Sequence, residues 1–434
     1  MKRLLIILLI FPMMSIAQNH QEFWPNGTVK EEGNLVDSLK QGMWNSFYDD
    51  GKPFCEGKFE DSNKTGRWKC YYRDGQMMSD QEMDNGKNVS YYADGKVEFQ
   101  GLLSSGEKNG IWEYFYSDGK PKRKVNYNAG RQTGKEAKWH KNGQLSMTGV
   151  FKEGLKGGGF SWYYENGKVE MEGPFLADKR EGEWQFFYEN GNLGSKGQFK
   201  ADELEGGWTY FYEIEGTKWK EGNFAQGLKA GEWGRFFETG EKFSSGAFVN
   251  DKETGIWTSW YANGQIKETG EFTQGQMHGQ WKGYFEKAQP KFDVVYKNGK
   301  RDGRAQLWYP NDNKQYDKSY SDDLEDGMST EWHETGELRA EGNYDKGAKD
   351  GLWKLFYSNG FKFQELSYNK GKLEGLSQAW YEHGAKWFSI NYNGGRLNGS
   401  NTYWDMDGNI TYRAKYSNGK LIKVMQKGQG ADKF

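Results

Sequence analysis

The chain has 434 residues, 59 Lys and Arg against 61 Asp and Glu, 60 glycines, two cysteines and a mean hydropathy of -1.01. Near neutrality with both signs interspersed leaves no basic footprint for nucleic acid, and Leu, Ile and Val are too few for a conventional globular core of this length. Aromatic residues make up 17% of the sequence and recur with a fixed period, which a disordered polar chain has no reason to keep.

The first element is an export signal. Lys2 and Arg3 precede the apolar run Leu4 to Pro12, and Ser15, Ile16 and Ala17 offer small residues at a cleavage site, which predicts a signal peptide over residues 1–17. The run is too short to span a bilayer, and no Cys lies near the cut to take a lipid anchor. The expected location is therefore periplasmic, outer-surface or secreted, where disulfides form.

Residues 18–426 then read as seventeen repeats of about 24 residues, each a variant of GxWxxYYxNGxxxxxGxFxxGxxx. With the first Gly as position 1, the repeats begin at Gln18, Gly42, Gly66, Gly86, Gly110 and onward to Gly399; one is four residues short, and one carries an extra residue before Gly216. Position 6 is aromatic in all seventeen, from Phe23 to Trp404, and position 18 drifts from Phe in the earlier repeats to Tyr in the later ones. Position 10 is usually the Gly of an NG, DG or TG pair, as at Gly51, Gly167 and Gly264. Such a pair between aromatic strands predicts a two-residue hairpin turn with two successive positive φ values. That register sets position 7 against 12 and 6 against 13. Positions 3, 7, 12, 16 and 18 then share one face, and 6 and 13 the other.

A correlation within the chain gives the register of the second hairpin, which joins one repeat to the next. Ten of the sixteen junctions have Gly at position 16, and position 3 of the following repeat is then Trp nine times and Phe once, as in Gly57 with Trp68 and Gly246 with Trp257. Where the Gly is replaced, the partner is never aromatic: Val125 goes with Glu136, Val294 with Ala305, Lys318 with Ser329. Directly opposed residues stand about 5 Å apart, so an indole can lie across a neighbouring strand only where there is no Cβ. The same register sets Cys55 opposite Cys70, either as a cross-strand disulfide or as two thiols packed as small hydrophobes. No metal site is expected, because His20, His140, His278, His333 and His383 are scattered and no further soft ligands accompany the cysteines.

Rings beyond what the period demands are the candidate ligand contacts: Phe54, Trp219, Phe243, Phe363 and Trp387 at position 13, and Trp162 at position 5. The least regular stretch is Phe285 to Asp317, where Ala288 replaces a turn Gly and Tyr309 to Asp312 replace a second normal turn; it reads as two decayed turns. A polar tail, residues 427–434, closes the chain. A strand every 12 residues or so predicts an all-β fold: an elongated, twisted, single-layer antiparallel meander of about seventeen β-hairpin units.

Segments such as EGEWQFFYENGNLGSKGQF (Glu181 to Phe199) and TGIWTSWYANGQIKETGEF (Thr254 to Phe272) resemble MORN-type repeats, in particular the longer bacterial antitoxin-like variant. The resemblance covers about Gln18 to Tyr416. It implies an array of successive hairpins used in scaffolding, membrane association or self-association.

Nothing in the sequence marks an enzyme. The EGxF glycines lie on hairpins and not between a strand and a helix, no Ser, Cys or His stands in a nucleophile context, and no cofactor is implied. The reading is a non-enzymatic scaffold that binds a protein or glycan of the cell envelope. Its alternatives are a self-associating spacer and a module that touches the membrane surface, the latter disfavoured by the interspersed acids.

Overall fold

The computed structural model describes residues 17–428; the expected signal segment falls almost wholly outside them, as do residues 429–434 of the tail. The described residues hold 38 strand segments and no helix, three of the segments being two-residue pieces such as Lys179–Arg180. All pairings are antiparallel, and the fold is an all-β meander of hairpin units. The strand Gln18–Phe23 pairs only with Val29–Val36, and Lys420–Lys427 only with Ile410–Ser417, so the meander does not close into a barrel. The chain divides into two halves, Met1–Glu205 and Gly206–Phe434.

The two-residue turn expected within each repeat is found instead between repeats. Within a repeat, the Tyr48 amide donates to Lys52 O and the Gly51 amide to Tyr48 O, both at 2.9 Å. The loop is therefore three residues, Asp49 to Gly51, and only its Gly has a positive φ, +81°. Asn and Asp are favoured before that Gly for another reason: their side chain accepts from the amide two residues on, as Asp50 Oδ1 does from Lys52 at 3.2 Å and Asn166 Oδ1 from Lys168 at 2.9 Å. The two-residue turns with two positive φ values lie between repeats, for example Asp61 and Ser62 at 49° and 63° between paired Glu60 and Asn63. Ala288 and Asp312, at φ 69° and 70°, take the place of the turn Gly and keep the same hydrogen bonds, so the two irregular turns are intact.

The longer turn shifts the register within each repeat by one residue. Phe47 pairs with Pro53 and Ser46 with Cys55, so position 6 faces 12, position 5 faces 14, and position 13 is bulged out. Positions 12 and 13 thus exchange the places expected of them. Position-12 lysines lie over the position-6 ring of the next repeat, Lys218 Nζ at 5.1 Å from Phe236 and Lys362 Nζ at 5.0 Å from Trp380.

The junction register agrees with the Gly and Trp correlation. Gly149 pairs with Phe160 and Gly222 with Trp233, and at both sites a Cβ on the Gly would fall inside the opposing ring. The same holds for seven further pairs, among them Gly57 with Trp68, Gly173 with Trp184 and Gly246 with Trp257. Beyond position 3 the register shifts, leaving positions 1 and 2 as a bulge whose Gly has a positive φ, 66° at both Gly231 and Gly255. The indole N–H donates to the carbonyl of position 17 beside this bulge, as Trp112 to Leu102 at 3.0 Å and Trp233 to Asn223 at 3.0 Å. The Trp therefore fills the space above the Gly and satisfies a ladder carbonyl.

Position 7 adds a second set of links. The Tyr48 hydroxyl donates to Tyr71 O at 2.9 Å, Tyr116 to Trp139 O at 2.7 Å and Tyr261 to Tyr284 O at 2.9 Å, each joining one repeat to the next. Trp24 and the imidazoles of His140 and His333 make the equivalent contact. The core lies on the face of positions 3, 5, 14, 16 and 18, where Trp44, Trp184 and Trp353 are almost wholly buried.

Candidate binding site at the Trp257 repeat

Most Trp rings on the inner face are covered by a cation from position 23 of the preceding repeat. Lys40 Nζ lies 4.1 Å from the Trp44 ring centroid, Lys64 4.2 Å from Trp68, Lys108 4.4 Å from Trp112, Lys229 5.1 Å from Trp233 and Lys349 4.2 Å from Trp353. Several of these lysines also lie against the position-18 ring, as Lys229 does at 4.7 Å from Phe248. The ammonium thus sits between two aromatic rings, one of them an indole, a favourable setting for a cation. At Lys349, burial pushes the ammonium below its usual pKa.

Where the Trp is replaced, the charge is rearranged. Ser329 stands at position 3 opposite Lys318, and Glu325 takes position 23. The Lys318 ammonium reaches Glu325 at 2.6 Å and Glu331 at 2.7 Å. Burial opposes its charge, but the two carboxylates outweigh that and hold its pKa above the usual value. In the other half, Glu136 at position 3 is almost wholly buried and takes Arg123 at 2.5 Å, with Gln132 at position 23.

The Trp257 repeat departs from both patterns. Position 23 before Trp257 is Glu253, with no ion-pair partner among the described residues, and the residue facing Trp257 is Gly246. Trp257 is partly exposed where Trp233 and Trp281 on either side are buried. Beside it is a hollow of about 420 Å³, lined by Glu253, Trp257, Glu268, Phe272 and Trp281 among others. The hollow has a second cause in the row formed by positions 5 and 14. There Ser244 pairs with Ser259 and Ser259 with Glu268, so two neighbouring places carry only a hydroxymethyl group; the next pairing, Glu268 with Gly283, leaves no gap, because the Phe292 ring lies over Gly283. In the first half the same row is filled: Trp162 pairs with Met147 and Met171.

The candidate contacts read from the sequence do not converge. Trp162 packs against Phe160, Phe175 and Trp184 with centroids 5.6 to 6.1 Å apart, filling the inner face. The position-13 rings rest on position 7 of their own repeat, not on position 6: Phe54 on Tyr48, Trp219 on Tyr212, Phe243 on Phe237, Phe363 on Tyr357 and Trp387 on Tyr381. Phe243 lines the Trp257 hollow, while Trp219 and Trp387 keep more than a third of their surface exposed. Cys55 and Cys70 are directly paired and joined as a disulfide. Among the described residues there is no group of three or more His, Cys, Asp or Glu able to hold a metal ion. Sequence reading missed position 23; the signal was Lys or Arg four residues before an aromatic position 3, with Leu204, Glu253 and Met277 as exceptions.

Six segments, residues 64–85, 108–129, 157–177, 180–201, 253–274 and 325–346, match the family described as MORN repeat variant. These six segments cover under a third of the chain, and the fourth and fifth coincide with the segments on which the resemblance rests. No curated protein matches it. Among solved structures it is similar to TcdB2-TccC3, at 9% identity and a TM-score of 0.15, over 94% of this chain and 26% of that one. The same values hold for TcdB2-TccC3-Cdc42; a Photorhabdus luminescens Tc holotoxin pore gives 9%, 0.12, 94% and 30%. This chain thus spans between a quarter and a third of the length of those chains. Repeats and fold together describe a repeat scaffold.

Proposed function

We propose that this scaffold is exported and binds a protein or glycan of the cell envelope, with the inner-face hollow at Trp257 as its principal contact. The supporting observation is that this hollow, larger than the one of about 140 Å³ on the same face at Trp44 and Trp68, combines indole and phenyl walls with the carboxylates of Glu253 and Glu268. Large rings beside unpaired polar groups are what a recognition surface concentrates at its centre. The antitoxin-like subtype describes the repeat sequence; neutralising a toxin inside the cell does not fit an exported chain. The test is quantitative pull-down from detergent-solubilised envelope extract with the purified mature chain, reading protein and glycan. Specific recovery of one component, competed by soluble chain and lost in Trp257→Ala, is the expected result.

A second reading, self-association, draws on three successive repeats of the C-terminal half. Met328, Leu352 and Leu376, all at position 2, are 62%, 50% and 46% exposed. Concentration-dependent assembly removed by Leu352→Glu, with no recovered partner, would favour that reading.

A further inference from the structure

The cation seat recurs along the chain, so the Trp257 seat can be compared with its own relatives. Five position-3 indoles hold a lysine ammonium 4.1 to 5.1 Å from the ring centroid. At Trp281 the thioether of Met277 stands at position 23 in place of a cation. Where position 23 is a glutamate in front of Ser329, the chain brings Lys318 to it. The Trp257 seat has the indole of the first arrangement and the glutamate of the second. No cation of the chain lies over the Trp257 ring among the described residues.

The space is there as well. A lysine in this seat lies between the position-3 and position-18 rings; the corresponding pair here, Trp257 and Phe272, with centroids 6.1 Å apart, lines the hollow together with Glu253. Glu268 adds a second carboxylate, engaged among the described residues only by the Ser259 hydroxyl at 3.4 Å. Lys267 is the one cation among the lining residues and makes no ion pair or ring contact among the described residues. Two carboxylates against one ammonium leave the lining net negative, and an aromatic wall with acidic neighbours selects an organic cation over an anion or a neutral sugar.

We infer that the Trp257 hollow receives the side chain of a lysine presented by a partner polypeptide, whose ammonium occupies the seat that Lys229, Lys349 and their equivalents fill elsewhere in the chain. Lysine is favoured over arginine because every position-3 indole with a cation over its ring has lysine there, while the arginine at this position before Trp184, Arg180, turns to Phe199 and Asp202 instead. This proposal rests on the binding-scaffold reading and names the partner's chemistry.

The test is a titration of the whole mature chain, labelled at the tryptophan indole nitrogens, with acetyl-Gly-Lys-Gly-amide, following the Trp257 indole resonance identified by its loss in Trp257→Phe. Saturable shifts are expected, at least tenfold weaker with the norleucine tripeptide and in Glu253→Lys. That variant supplies the missing lysine from within and should fold as well as the wild type, since other repeats carry the same residue. Lys267→Gln should bind more tightly. No saturable shift, or equal shifts in Glu253→Lys or with norleucine, would overturn the proposal; equal affinity for butylamine and the tripeptide would overturn the assignment to a polypeptide. Pull-down with Glu253→Lys separates the two claims. A partner recovered equally by this variant and the wild type leaves the scaffold standing and removes the lysine seat.

Discussion

The repeats around Trp233 and Trp257 are adjacent, share one backbone pattern and differ in how the indole is covered. Both rings lie over a glycine, Gly222 or Gly246, and both donate their N–H to a position-17 carbonyl, at 3.0 and 3.2 Å. Trp233 is covered by Lys229 and is 5% exposed, while Trp257 has Glu253 and a hollow beside it. The scaffold and the cover are therefore separable. Gly and Trp build the sheet; position 23 decides whether the ring is part of the core or available to a visitor.

The largest expected effect breaks the scaffold itself. In Gly222→Ala the new Cβ would fall inside the Trp233 indole, which is boxed in by Phe224 and Phe248 at 5.1 and 6.1 Å. Overpacking of this kind costs about 3 kcal/mol, read as the loss of hydrogen-exchange protection in the flanking strands. In Gly246→Ala the Trp257 ring has Phe248 and Phe272 at the same 5.1 and 6.1 Å but also a hollow to move into, and the cost should fall to about 1 kcal/mol. Equal losses would show that the hollow gives the ring no freedom.

Next comes the rearranged seat at Lys318. Lys318→Met leaves Glu325 without its cation and facing Glu331, which keeps only Arg339. Losing one member of a buried pair costs several kcal/mol, but these groups are partly solvated, which reduces the expected loss to about 2 kcal/mol at neutral pH. The pH dependence tests the same contact. Burial raises the Glu331 pKa, but Lys318 and then Arg339 outweigh it, and the net value lies below the usual carboxylate range. A lowered folded pKa contributes stability above the unfolded value, roughly 4.3, that is lost as pH falls through the folded one. Lys318, with a raised folded pKa, contributes below the unfolded value of roughly 10.4 and loses its contribution only in stronger alkali. Protection around residues 314–332 should therefore be level from pH 6 to 9 and fall towards pH 3. In Lys318→Met the two carboxylates repel, and acidification should instead restore protection.

A smaller effect is expected from the position-7 links. Tyr261→Phe removes the hydroxyl that donates to Tyr284 O at 2.9 Å and should cost about 1 kcal/mol, measured as faster exchange in the next hairpin. The Trp233 repeat has Phe237 at this position. Phe237→Tyr should recover part of that amount in its own repeat.

The parts of this structure legible in the sequence are those written as pairs. Gly at position 16 predicts Trp at position 3 because one residue makes room for the other, and the register that follows places Cys55 against Cys70. Turn type was misread at Asn166 and its equivalents, because Asn before Gly serves equally in a two-residue turn and in a three-residue loop capped by its own side chain. That ambiguity moved position 13 to the wrong partner, and with it the setting of Phe54, Trp219, Phe243, Phe363 and Trp387. The Trp257 hollow was illegible for a different reason. It depends on Glu253, Ser244 and Ser259, which come together only across several strands, and on the absence of bulk at the two serines.

The smallest expected effect separates charge from volume. Lys229→Met keeps a long flexible side chain over Trp233 and Phe248 while removing the ammonium 5.1 and 4.7 Å from their centroids. The cation–π contribution at a partly exposed site is about 0.5–1 kcal/mol, and methionine recovers some of it by filling the space. Met277 already stands in this position before Trp281, a buried ring. Lys229→Met should therefore lose about 0.5 kcal/mol in the exchange of the Trp233 indole and bind no lysine tripeptide. Lys229→Glu should lose more and admit the tripeptide weakly, because it recreates the glutamate and indole of the neighbouring repeat but not its row of small residues. If both variants exclude the tripeptide equally, the hollow depends on Ser244 and Ser259 rather than on position 23, and the site belongs to the sheet's missing bulk, not to its missing charge.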